Sequence, residues 1–257
     1  MSGFAVVALI LAGGAAGFVN AIAGGGTLVT FPTLILAGMN SIMANATSTV
    51  ALIFGITGSV YGYRRQIPAV KSWLVELTPW SVVGGLIGGV LLTVTPTRIF
   101  DWLVPFLILF ATLLFMAQGL IARRFAPDGN LFRTPDGRTH GAAILFQFLI
   151  ALYGGYFGAG IGILMLATLG WIGLRDINQM NTVKTILGGL INIVAAVYFV
   201  WKGLVDWGNV GLLTLGALPG YYIGSAFAQK IAPARVRQLI VWIGLLMTAC
   251  LFYQRFK

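Results

Sequence analysis

Charge is scarce in this chain. Only 9% of its 257 residues are Asp, Glu, Lys or Arg, against about 25% in an ordinary soluble domain. A chain so poor in charge cannot cover a globule with a hydrated surface. It has one cysteine, Cys250, and one histidine, His140. Those counts exclude a disulfide framework and a Cys/His metal cluster; Cys250, inside the last apolar run, reads as packing. Glu76 is the only glutamate, and no Asp or Glu falls in the middle of an apolar run. The carboxylate relay usual in proton-coupled transport is therefore missing. No G-x-x-x-x-G-K-[ST] phosphate loop occurs, nor a Ser/His/Asp arrangement or metal-ligand spacing. An enzyme is unsupported and no cofactor is expected. No Lys or Arg precedes Arg64. Ala21-Ile22-Ala23 mimics a signal cleavage site, but a signal needs a basic start, so residues 1–23 are expected to stay in the mature protein.

The chain is instead rich in apolar residues, 58% of the total, with a mean hydropathy of +0.93. Runs at 4–19, 82–94, 102–121 and 186–201 approach or match the roughly 17–25 apolar residues that span a bilayer. The alternating ten-residue pattern of a transmembrane barrel is absent. The expected fold is all-α, a polytopic helical membrane protein. Ten apolar pieces stand out, at 4–22, 27–38, 43–63, 74–94, 99–121, 141–158, 162–173, 178–200, 208–228 and 236–254. Pieces two and seven are too short for a straight span. Each follows a glycine cluster, and each either crosses thinly or turns back to its own face.

The net charge of +10 reflects Lys and Arg flanking the spans rather than a nucleic-acid surface, since no basic stripe exceeds a short loop. Arg64, Arg65 and Lys71, then Arg123, Arg124, Arg133 and Arg138, then Lys230, Arg235 and Arg237, together with Arg175, fall on one face. Arg98, Lys202, Arg255 and Lys257 fall on the other. Eleven against four puts the first face in the cytoplasm and both termini outside, on the periplasmic side. The stretch 122–140, ARRFAPDGNLFRTPDGRTH, is the one clear hydrophilic linker, with turn signals at Pro127-Asp128-Gly129 and Pro135-Asp136-Gly137. It divides the chain into a first transmembrane repeat, 1–121, and a second, 141–257.

The halves align without gaps at a spacing of 136 residues. Ala23-Gly24-Gly25-Gly26 then falls on Ala159-Gly160-Ile161-Gly162, Asn45 on Asn181, and Gly84 and Gly88 on Gly220 and Gly224. The third piece of each half starts on opposite faces, so the repeats are expected to be inverted copies. Secondary transporters are often built this way, with a substrate site where broken helices meet near mid-membrane. An unpaired backbone group in lipid costs several kcal/mol, so broken helix is tolerated only inside protein or beside a water-filled cavity. Helices restarting at Thr27 and after Gly162 would aim free N–H groups inward, where anions bind. The alternative use of such glycines is close helix packing, which is the preferred reading of GGLIGG at 84–89.

Just beyond each short piece lies a polar cluster. The first holds Asn45, Thr47, Ser48 and Thr49; the second holds Asn181, Thr182, Lys184 and Thr185. Asn, Ser and Thr can donate to oxyanions without the desolvation penalty of a full charge. Two readings stand for these: ligand contacts, or hydrogen bonds between helices. Lys184 also supports two, a site charge or a cation snorkelling to the headgroups. Asn20 and Asn192 are weaker candidates, better read as helix glue.

GFVNAIAGGGTLVTFPTLILAGMNSIMANATSTVAL, at 17–52, resembles the TauE/SafE family of sulfite-exporter-like permeases. GGYFGAGIGILMLATLGWIGLRDINQMNTVKTILGG, at 154–189, is similar to that family's other half. The resemblance spans about 4–254 and implies a bacterial inner-membrane carrier of small organosulfur or sulfur oxyanions, such as sulfite or sulfoacetate. Its motif positions here are Gly24, Gly25, Gly26, Asn45, Gly160, Gly162 and Asn181. An inside-negative membrane expels anions, so export needs no coupling ion, which fits the missing relay. The expectation is a multi-pass exporter of a small sulfur-containing anion. The first rival is an uncoupled channel for small anions or neutral solutes; the second is a membrane enzyme or assembly subunit. A homodimer is left open.

Overall fold

A computed structural model describes residues 3–22, 25–124, 141–171, 174, 176–227 and 233–256. All regular structure among them is helical. The first half comprises α1 (Gly3–Ile22), α2 (Thr27–Leu36), α3 (Ser41–Tyr63), α4 (Ile67–Val94) and α5 (Thr97–Arg124). The second comprises α6 (Gly141–Tyr156), α7 (Ile161–Trp171), α8 (Ile177–Trp201), α9 (Trp207–Phe227) and α10 (Pro233–Phe256). Each apolar piece read from the sequence is a helix. The basic stretch 64–72, expected as a loop, is a 3-10 turn, Arg64–Gln66, followed directly by α4, on which Lys71 lies. α5 likewise runs three residues into the stretch read as linker; 125–140 lie outside the described residues.

Among the described residues, three helical stretches are long and apolar enough to cross a membrane: Arg64–Val94, Thr97–Ala117 and Asn178–Trp201. Large apolar side chains stand outward in rows, such as Phe106, Phe110 and Leu113 on α5, Leu145 and Leu149 on α6, and Trp242 and Leu246 on α10. Water would not tolerate so much contiguous apolar surface; acyl chains do. α2 and α7 have only 10 and 11 residues and remain half-spans.

The two halves interlock. α1 packs most extensively on α9 and α4 on α6; α8 lies on α4 and α3 on α9. α3 also meets α8, and α5 meets α10. Each of these interfaces maps onto another, or onto itself, when α1–α5 are exchanged for α6–α10. The same close contacts recur at atomic level. Gly84 and Gly88 of α4 lie over the carbonyls of Phe148 and Leu152 on α6, too near for a side chain. Gly220 and Gly224 of α9 lie in the same way over those of Gly14 and Phe18 on α1. Small residues let backbones approach where no hydrophobic force drives helices together. The equivalent carbonyls, Phe148 with Gly14 and Leu152 with Phe18, are 134 positions apart. The register of 136 therefore fits the α4 and α9 glycines but slips by two between α1 and α6.

Each half-span follows a chain break. Between α6 and α7 the break holds Gly158 at φ +82° and Gly160 at φ +80°, a left-handed conformation that only glycine adopts freely. Tyr153 donates its hydroxyl to the Ala159 carbonyl at 2.7 Å, and Phe157 packs edge-on against Phe31 at 5.5 Å. These contacts fix the break. Gly158→Ala forces an L side chain into the left-handed region, at about 1–2 kcal/mol, with its Cβ 3.1 Å from the Gly154 carbonyl. Thermal unfolding in detergent should begin a few degrees lower; an unchanged midpoint would mean the turn relaxes at no cost. Past the half-spans, α8 restarts on Asp176, whose carboxylate accepts from the amides of Asn178 and Gln179 at 2.7 and 3.2 Å, an N-cap.

Candidate functional site

Both breaks border one cavity of about 140 Å³, well below the roughly 300–1,000 Å³ of sites for drug-sized ligands. α3 contributes Thr49 and Leu52, and α8 contributes Lys184, Thr185, Gly188 and Asn192. These positions fall in the middle of both helices. The first break brings Asn20, Gly25 and Thr27; the second brings Phe157, Gly158, Gly160 and Gly162; α9 adds Tyr221.

Lys184 is the one charged side chain among the described residues lining the cavity. Its ammonium donates to Asn181 Oδ1 at 3.0 Å, which leaves two of three N–H donors for a ligand. A Cβ at Gly162 would stand 3.3 Å from Lys184 Cδ. The glycine thus leaves room for the lysine stem to run across the start of α7. The stem thus lies near α7, and its head is tied to Asn181, one turn nearer the start of α8.

The first break is organised differently. Asn20 Oδ1 accepts from the amides of Gly25 and Gly26 at 2.7 and 2.9 Å, and Asn20 Nδ2 donates to Tyr221 at 2.7 Å. The amides of Leu28, Val29 and Thr30 bond back to the carbonyls of Gly25 and Gly26. The amides of Gly25 and Gly26, expected to face an anion, already hold a side-chain oxygen.

Of the residues singled out from the sequence, Gly25, Thr27, Gly160, Gly162, Lys184 and Thr185 line the cavity. Gly24 lies outside the described residues. Gly26 instead backs onto α1, where a Cβ would meet the Ala16 carbonyl at 2.8 Å. Asn45 donates from Nδ2 to the Tyr156 carbonyl at 3.1 Å, and its buried Oδ1 has no partner among the described residues. Thr47 accepts from the Asp206 amide at 3.1 Å, Ser48 pairs with Thr30 at 2.5 Å, and Thr182 bonds within its own helix to the Asn178 carbonyl at 2.7 Å. These four tie helices or helix turns, and Asn181 holds the lysine.

Thr49, one of the first polar cluster, lines the cavity too, as do Asn20 and Asn192, read chiefly as helix glue, and Tyr221, which was not singled out. Asn192 had a signal: Lys184, Gly188 and Asn192 recur every fourth residue and so share one helix face. Tyr221 had none, being 201 positions from the Asn20 it holds.

An apolar outer surface, interlocked halves and a small polar cavity between two broken arms define a helical membrane transporter. The chain belongs to the sulfite exporter TauE/SafE family, whose sequence signature matches residues 9–251. A protein of Haemophilus influenzae named "Probable membrane transporter protein" is 26% identical over 96% of this chain and 94% of its own. A Sinorhizobium protein named "Probable membrane transporter protein ORF9" is 28% identical over 92% of this chain and 88% of its own. Escherichia coli YfcA, also named a probable membrane transporter protein, is 25% identical over 93% and 86%. No solved structure matches the chain.

Proposed function

We propose that this transporter carries a small sulfur-containing anion, sulfite, sulfoacetate or a related sulfonate, outward across the cytoplasmic membrane. The carrying observation is the single Lys184 ammonium on a small cavity bordered by both breaks. A half-buried cation draws a counter-charge, and no carboxylate among the described residues lines the cavity. The family's description as sulfite exporters supports sulfur as the chemistry.

In this reading 1–121 and 141–257 are inverted repeats joined by a cytoplasmic linker at 122–140, with both termini outside. The recurring glycine–carbonyl contacts of α4 with α6 and α9 with α1 support the repeat. Lys184, Thr185 and the glycines of the second break meet the ligand; Asn45, Thr47, Ser48, Asn181 and Thr182 hold the frame. An inside-negative potential drives the anion out by about 2.3 kcal/mol per charge per 100 mV, so export runs without a coupling ion.

The test is efflux of labelled ethanesulfonate and sulfite from proteoliposomes holding the purified chain. Saturable efflux with counterflow is the expected result. Flux that neither saturates nor shows counterflow would make the protein a channel, and absence of flux would remove the anion reading.

A further inference from the structure

The two ends of the cavity offer opposite chemistry to a ligand. At the α7–α8 end, Lys184 keeps two N–H donors beyond the one given to Asn181, and Thr185 also lines the cavity. At the other end several donors are committed, those of Thr27 and Asn192 excepted. The Thr49 hydroxyl gives its hydrogen to the Asn45 carbonyl at 2.8 Å. The Tyr221 hydroxyl gives its hydrogen to the Leu52 carbonyl at 3.4 Å. Asn20 spends one amide hydrogen on Tyr221, and its oxygen blocks the amides of Gly25 and Gly26. What remains there is lone pairs, the Thr27 hydroxyl, the Asn192 amide and the apolar faces of Leu52 and Phe157, all of them uncharged.

We propose that the cavity selects singly charged anions, with the oxyanion against Lys184 and Thr185 and a short neutral tail against Thr49, Tyr221 and Asn20. This rests on the anion-transport reading above and narrows it. One cation neutralises one charge. A second anionic group at the far end would find no counter-charge among the described lining residues. The favoured class is hydrogensulfite and short monosulfonates. Sulfate, disulfonates and fully ionised sulfoacetate are disfavoured.

The experiment is competition against labelled ethanesulfonate efflux from proteoliposomes holding the full chain, at fixed ionic strength. Methanesulfonate and isethionate should inhibit at concentrations at least tenfold below those needed for sulfate and 1,2-ethanedisulfonate. Equal or stronger inhibition by the doubly charged compounds overturns the charge selection while leaving anion transport standing. Failure of ethanesulfonate to move at all removes the transport reading and this one with it. A second cation supplied by Asn192→Lys, on the same face of α8, should shift the inhibition ratio at least tenfold toward ethanedisulfonate. A ratio that does not move in a reconstituted variant counts against the proposal. The wild-type comparison needs no variant and decides by itself.

Discussion

Lys184→Met is expected to lower saturable sulfonate efflux roughly ten- to a hundredfold while leaving the unfolding midpoint nearly unchanged. A hydrogen bond to a charged group contributes about 1.5–3 kcal/mol, and each 1.36 kcal/mol is about a factor of ten. Methionine keeps the unbranched stem that lies across Gly162 and removes only the ammonium. Folding is spared because the bond lost, to Asn181, joins two residues of the same helix. Lys184→Arg gives a sharper readout. The planar guanidinium is bulkier than an ammonium and is not interchangeable with it. With 3.3 Å between the stem and a Cβ at Gly162, arginine keeps the charge and misplaces it, so efflux should be intermediate. Full efflux in Lys184→Met would return the lysine to a structural role. Equal loss in both variants would point to shape rather than charge.

Much of the architecture was legible because the bilayer permits few solutions. Apolar runs must be helices, since no water satisfies their backbone, and the ten runs became α1 to α10 within a few residues, except that α4 begins at Ile67, well before the run read from 74. The half-spans were legible from length: 10 and 11 residues cannot cross about 30 Å. Gly158 and Gly160 carry the left-handed turns, yet the motif that drew attention was the glycine run 24–26, where Gly26 is ordinary helix at φ −55°. Composition marks where a chain can turn; it does not say which glycine does so.

The cavity was less legible, for a reason visible in Asn20 and Asn45. Both are asparagines near a break, and the sequence favours Asn45 because it stands in a polar cluster. Asn20 lines the cavity, while Asn45 reaches across to the end of α6. Which one faces the ligand depends on helix rotation, set by packing such as Phe31 against Phe157. The gap-free repeat register also misleads there. A slip of two residues turns a helix by roughly 200°, which sends an equivalent position to the opposite face. Lys184 escaped this difficulty because a charge within an apolar run has few places to go.

Gly88→Ala should be among the most damaging single methyl groups that can be added to this protein, and Gly89→Ala among the mildest. The two are neighbours in GGLIGG and cannot be ranked from the sequence. Gly88 faces α6, where a Cβ would overlap the Leu152 carbonyl and stand 2.8 Å from the Tyr156 amide. Backbone atoms cannot swing aside, so α4 and α6 must separate along their contact. Overpacking of this kind costs about 1–3 kcal/mol, and the backbone collision puts Gly88 at the upper end, a fall of roughly 6–12 °C in the unfolding midpoint. Gly89 faces α8, where a Cβ would sit 3.5 Å from Ala195 Cα and 3.6 Å from its Cβ, ordinary contact distances that gain a little packing. Its midpoint should stay within a degree or two. The same reasoning applies on the other side of the molecule, where Gly224 meets the Phe18 carbonyl, so Gly224→Ala should fall with Gly88→Ala. Thermal unfolding of the three purified variants in one detergent checks the set. Equal loss at Gly88 and Gly89 would mean that helix flexibility, rather than carbonyl contact, is what these glycines provide.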